Sequence, residues 1–183
     1  MVCLLAISGS LRQSSSNTLL LQAAKALAPE GVEITLYHGI GDLPHFNPDL
    51  DEMQIAAVQE FRNQIAHADG LLISSPEYAH GMPGTLKNAL DWLVSGEEFI
   101  GKPVTFFNAS PQASYILAAL TETITVMSGQ IVTEAILTVP LRGTKRDTAD
   151  IVADEFLAGA VRAALATFAR AIEAKSKLPG GEV

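Results

Sequence analysis

Apolar residues in this chain come in short continuous bursts that alternate with longer stretches of helical spacing. Val2–Ile7 is one burst; it ends in serine and glycine and predicts a strand buried on both faces. Asn17–Ala28 has helical periodicity and stops at Pro29 and Gly31. Val32–Leu36 predicts a second strand, followed by the long loop GIGDLPHFNPDLD. Met53–His67 predicts a helix and Gly70–Ser74 a third strand. Pro83–Val94 predicts a helix opening on proline, which suits a first turn where no N–H is needed. Lys102–Phe107 predicts the fourth strand, Pro111–Met127 a helix, and Ile131–Val139 contains the fifth strand. Thr148–Ala174 predicts one long terminal helix with a stripe of Ile151, Ala158, Val161, Leu165, Phe168 and Ile172.

Five alternations of strand and helix predict an α/β domain in three layers, a parallel sheet with helices on both faces. Five strands favour the flavodoxin-like order 2-1-3-4-5, in which ligands bind beyond the carboxyl ends of the strands, at the switch between strands one and three. One domain is expected over residues 1–175, with 176–183 as a tail.

Composition narrows the function. An apolar share of 48% with 17% charged residues suits a folded core. A net charge of −8 disfavours nucleic acid and anionic membrane as partners. The lone Cys3 excludes internal disulfides and is expected in the core. No apolar stretch is long enough to span a bilayer, and no basic head precedes the first one, so cytoplasmic residence is the expectation. The four histidines do not pair at metal-ligand spacing, and no metal is expected.

Chemistry concentrates after strands one, three and four. Residues 8–17 read SGSLRQSSSN, with five serines, Arg12 and Asn17 at a helix start. Free N–H groups at that start, hydroxyls and a guanidinium fork together make a phosphate cup. Helix capping alone would use one of Ser15 and Ser16 and leave Arg12 idle. The loop lacks the Gly-Lys-Ser/Thr ending of a nucleotide-hydrolase P-loop and the three glycines of a dinucleotide fingerprint. It also lacks the cysteine of a low-molecular-weight phosphatase loop. After strand three, SSPEYAHGMPG is kept irregular by Pro76, Gly81, Pro83 and Gly84, exposing backbone groups to a flat heteroaromatic edge.

Ser-x-Arg-x-x-Ser-x-Asn at Ser10, Arg12, Ser15 and Asn17 is followed by Pro-Glu-Tyr at Pro76–Tyr78 and Pro-Gly-x-Leu-Lys-Asn-Ala-x-Asp-Trp at Pro83–Trp92. This pair of motifs resembles the NAD(P)H-dependent FMN reductase family, with its quinone, chromate and azo-dye reductases, over the whole chain. The resemblance implies bound FMN, with Ser10, Arg12, Ser15, Ser16 and Asn17 on its phosphate. It implies the backbone of Pro76, Glu77, Tyr78, Ala79 and Gly81 along the isoalloxazine edge, and Asn108 and Ser110 near the ring. It implies NADPH or NADH as hydride donor, a small-molecule electron acceptor and a homodimer or homotetramer. No protein acid or base is needed, because a flavin carries its own redox chemistry. The chain departs from many members at Ala79 and Gly81, and at QASY after strand four. The rival reading is a flavodoxin-like electron carrier or flavin-binding regulator without NAD(P)H turnover.

Other positions carry two readings each. Trp92, with Asn88 and Thr85 on a second face of its helix, reads equally as an interface residue or as internal packing. Arg142, Lys145 and Arg146 are either a solvated loop or a contact to a 2′-phosphate, the former being favoured. His80 reads as a residue bordering the substrate or as a surface histidine, the latter being favoured. HFNPD at 45–49 reads as an ordinary loop or as a rim over a neighbouring site.

Overall fold

The computed structural model describes residues 1–12, 14–50, 52–141 and 143–177. Strands β1 (Val2–Ser8), β2 (Val32–Tyr37), β3 (Gly70–Ser74) and β4 (Pro103–Asn108) form a parallel sheet in the order 2-1-3-4. The fifth position, at the edge beside β4, holds two short strands, β5 (Gln130–Ile131) and β6 (Leu137–Thr138). The order is the expected 2-1-3-4-5 with its last strand interrupted by a 3-10 turn at Thr133–Ala135. An edge strand pairs on one side only, so the interruption breaks few ladder bonds. Thr105 Oγ1 donates to Val132 O across the break at 3.3 Å.

Because β1 and β3 are covered on both faces, neighbouring residues feed opposite cores. Leu4, Ala6 and Leu72 meet helix α1 (Ser16–Ala26) and the C-terminal helices. Leu5, Ile7, Leu71 and Ile73 meet α2 (Ala56–His67), α3 (Gly84–Asp91) and α4 (Ser114–Val126). Each fully buried Leu, Ile or Phe contributes on the order of 1.5–3 kcal/mol of burial free energy. At Gly70 a Cβ would stand 2.7 Å from Ile172 Cδ1 and 2.9 Å from Phe168 Cζ, so the missing side chain lets the last helix close on β3.

That last helix is not continuous. The chain forms α5 (Thr148–Ala153) and α6 (Glu155–Ser176), with Asp154 ending one and capping the other. Asp147 and Asp150 make a capping box at the start of α5, and Asp154 Oδ1 accepts from Leu157 N–H at 3.1 Å. The stripe expected from 148–174 is nonetheless buried as read.

One further expectation is corrected, and one open choice is decided. Cys3 is only partly buried, because the start of β1 faces the last turn of α2, where Gln64, His67 and Ala68 line a shallow groove. Trp92 packs inside the chain, at 1% exposure. Its Nε1–H donates to Pro44 O at 2.8 Å, and Asn88 Nδ2 donates to the same oxygen at 2.9 Å. Phe46 N–H donates back to Asn88 Oδ1 at 2.8 Å, and the Phe46 ring stands edge-on to Trp92. The second face of α3 thus receives the chain's own loop at 43–46, the internal one of its two readings.

Candidate functional site

A cleft of about 460 Å³ opens at the carboxyl ends of β1, β3, β4 and β6. Four loops build its walls, and the first is the serine-rich turn after β1. Ser8 Oγ pairs with Thr18 Oγ1 at 2.8 Å and accepts from Ser10 N–H, so the turn is tied to α1 at its base. Ser10 Oγ accepts from Arg12 N–H at 3.3 Å, and Arg12 reaches toward Ser14 Oγ at 3.4 Å from an exposed position. Ser10, Arg12, Ser15, Ser16 and Asn17 all line the cleft, joined by Ser14.

Ser15 stands at the N-cap of α1, yet its side chain makes no bond to the helix's first N–H groups. The first turn also carries no acidic residue. Helix starts ordinarily have one or both. Here the positive end of the dipole is left for something outside the helix. Buried Asn17 accepts from Ser74 Oγ through Oδ1 at 3.0 Å, which keeps its amide NH2 as the donor group toward the cleft. Ser16 Oγ donates to Leu141 O at 3.5 Å, linking α1 to the loop after β6.

The second wall follows β3. Ser75, Pro76, Glu77 and Tyr78 line the cleft. Ala79 and Gly81 do not. They belong to a tight turn in which Tyr78 and Gly81 exchange both backbone hydrogen bonds at 3.0 Å. Ala79 at φ 48° and His80 at φ 59° occupy its two central positions, both left-handed. Tyr78's own N–H and C=O are used in that pair, and Pro76 has no N–H and a C=O that accepts from Ser75 Oγ at 3.2 Å, so within 75–77 the backbone left to meet a flat ring is that of Ser75 and Glu77.

The third wall, after β4, contributes Asn108, Ala109, Ser110 and Ala113. Its polar side chains are turned inward on the loop. Asn108 Oδ1 accepts from Ser110 N–H at 3.1 Å, Asn108 Nδ2 donates to Ala113 O, and Ser110 Oγ donates to Gln112 Oε1. This wall offers shape and backbone more than free side-chain groups.

The fourth wall is Gly143 and Thr144, after β6. The loop is at the carboxyl edge, as the sheet order requires, but among its described residues the small Gly143 and Thr144 reach the cleft, and Lys145 and Arg146 do not. Arg146 donates to Asp154 Oδ2 at 2.7 Å and holds the α5–α6 corner. Lys145 is exposed, and Arg142 lies outside the described residues. Among the described residues no cluster of three metal-ligating side chains occurs, and no helix is long and apolar enough to cross a membrane.

Comparison with known proteins bears on family and fold. The family described as NADPH-dependent FMN reductase matches residues 2–140. An NAD(P)H-dependent FMN reductase of Pseudomonas aeruginosa is 45% identical over 109 residues, which is 58% of this chain and 58% of the relative. A quinone reductase of Escherichia coli is 36% identical over 106 residues, 56% of each. The matched region thus spans little more than half the length of either relative. Among solved structures, a flavoenzyme NAD(P)H:acceptor oxidoreductase of Paracoccus denitrificans superposes with a TM-score of 0.79 at 27% identity, covering 93% of this chain and 98% of that one.

Proposed function

Because this chain belongs to the NADPH-dependent FMN reductase family, we propose that its cleft holds FMN and that it works as an NAD(P)H-driven reductase of small acceptors such as quinones, free flavin, azo dyes or chromate. The observation that carries the proposal is the start of α1: a helix dipole with no acidic residue and no side-chain cap, ringed by serine hydroxyls and Arg12. That donor set, engaged within the protein only by long bonds from Ser16 Oγ to Leu141 O at 3.5 Å and from Arg12 to Ser14 Oγ at 3.4 Å, fits a phosphate dianion.

In this reading Ser10, Arg12, Ser14, Ser15 and Ser16 hold the phosphate, together with the first N–H groups of α1. Asn17 donates through its amide, whose orientation is set by Ser74. The backbone of 75–77 meets one edge of the isoalloxazine ring, and the loop at 108–113 closes the cleft beside it. Bound there, FMN would supply the redox chemistry that links NAD(P)H to the acceptor. The residues are asked to bind, orient and leave one ring face accessible. Tyr78, 52% exposed at the cleft mouth, borders that open side.

Steady-state turnover of FMN-loaded protein with NADPH or NADH and 1,4-benzoquinone tests the reading. Parallel double-reciprocal lines, the pattern of a donor leaving before the acceptor arrives, are expected. An FMN-loaded protein that oxidises neither nucleotide is not a reductase, and the electron-carrier reading takes its place.

A further inference from the structure

Glu77 does more than pass its backbone along the cleft. Its Oε2 accepts from Tyr115 N–H at 2.9 Å and Ile116 N–H at 3.1 Å. Helix α4 begins at Ser114, and its own N-cap residue, Ala113, has no side chain able to cap. A carboxylate from the loop after β3 therefore satisfies the first turn of a helix reached through another strand. The interaction is charge-assisted and lies on the favourable end of the α4 dipole.

A second strut joins the same elements. The His80 ring stacks on Tyr115 with centroids 4.1 Å apart and planes 15° from parallel. Between the two struts lies the Ala79–His80 turn, whose left-handed backbone is unfavourable for residues with a Cβ. A turn of this kind persists where its surroundings hold it. Here they are Tyr115 and Ile116 in the first turn of α4.

We infer that Glu77 is a positioning residue: by capping α4 it fixes the backbone of 75–77 at the distance from the 108–113 wall that a flat tricyclic ring requires. This inference rests on the flavin reading above and assigns the side chain a role distinct from phosphate binding. The ring-binding half of the cleft depends on Glu77, while the phosphate half, built on α1, does not touch it.

The two halves are separable with three probes: FMN, lumiflavin (the ring without phosphate) and inorganic phosphate as a competitor. Their affinities are read by flavin fluorescence in wild type, Glu77→Ala and Glu77→Gln. Glu77→Ala is expected to weaken FMN and lumiflavin alike by about tenfold or more, the equivalent of one charge-assisted hydrogen bond, with phosphate competition unchanged. Glu77→Gln keeps an acceptor oxygen and is expected to recover most of the loss. Glu77→Asp, one methylene shorter, is a second probe where the alanine variant does not fold, and it too is expected to weaken lumiflavin. Lumiflavin affinity unchanged in Glu77→Ala or Glu77→Asp overturns the inference. So does a Gln variant as weak as the alanine, or a phosphate affinity that falls in step with the ring's. Wild-type protein that binds neither FMN nor lumiflavin defeats the flavin reading instead.

Discussion

Ser74, the last residue of β3, donates its hydroxyl to Asn17 Oδ1 in the first turn of α1 at 3.0 Å, and both residues are buried. The bond joins the two strands whose divergence opens the cleft, β1 through its helix and β3 through its end. It also fixes which group Asn17 presents to the cleft. Asn17→Ala leaves the Ser74 hydroxyl buried without this acceptor and is expected to lower stability by about 1–3 kcal/mol. Denaturant midpoints of Asn17→Ala, Ser74→Ala and the double variant check it. The double variant is expected to lose less than the sum of the singles, because each single leaves the same bond half made.

The Arg12 side chain is exposed and, among the described residues, bonds Ser14 Oγ of its own loop at 3.4 Å, so the fold does not need it. Arg12→Ala is expected to leave thermal stability unchanged within about 0.5 kcal/mol. It is expected to weaken FMN by about 10–100-fold, the range of hydrogen bonds to a charged group, without touching riboflavin. Titration of both flavins at two salt concentrations checks this, since the Arg12 contribution falls as ionic strength rises.

Gly9 sits where β1 turns toward α1. A Cβ there would lie 2.2 Å from Ser75 Oγ and 2.7 Å from Ser75 Cβ. Gly9→Ala is expected to displace Ser75, a cleft residue, and to cost about 1–3 kcal/mol, the usual range for overpacking. Ser75→Gly removes both clashing atoms, so the pair Gly9→Ala, Ser75→Gly is expected to be more stable than Gly9→Ala alone. Melting temperatures of the three variants decide it.

Arg146 and the Leu157 N–H together hold the Asp154 carboxyl below its ordinary value. A depressed carboxylate stabilises the fold fully at pH above the unfolded value and loses that contribution as pH falls through the lowered folded value. Asn caps a helix as Asp does, so Asp154→Asn removes the charge and keeps the cap. The stability difference between wild type and Asp154→Asn is expected to stay level from neutral pH to about pH 4 and to shrink below it. Thermal melts across pH 2.5–7 follow the difference (~0.5 pH steps suffice).

The layers, the sheet order and the gathering of the serine-rich loop at the start of α1 were legible in the sequence because each is written locally. Val2–Ile7 is too apolar and too short for anything but a central strand, and SGSLRQSSSN carries its donors in one loop. The terminal helix was misread because its periodicity runs through the break. The signal was Asp147, Asp150 and Asp154, poor helix-interior residues at cap spacing. The edge strand was blurred by Thr133–Ala135, whose 3-10 turn has no strong sequence mark. Trp92 was ambiguous because a second helix face bearing a tryptophan looks the same whether a partner or the chain's own Pro44 covers it. In the cleft, Gly143 and Thr144 were overlooked beside louder cations. Charge is easy to see in a sequence, whereas proximity is set by which small residues let a loop approach. Glu77's reach to α4 is a contact between residues 38 and 39 apart, visible only once β3 and β4 are side by side.

The central claim is that the uncapped start of α1 is a phosphate site for FMN. Titration of the apo-protein with FMN and with riboflavin, followed by flavin fluorescence, tests it most directly. FMN is expected to bind more tightly than riboflavin by about a hundredfold or more, the contribution of several charge-assisted bonds to one phosphate. Equal affinities for the two flavins would contradict the claim.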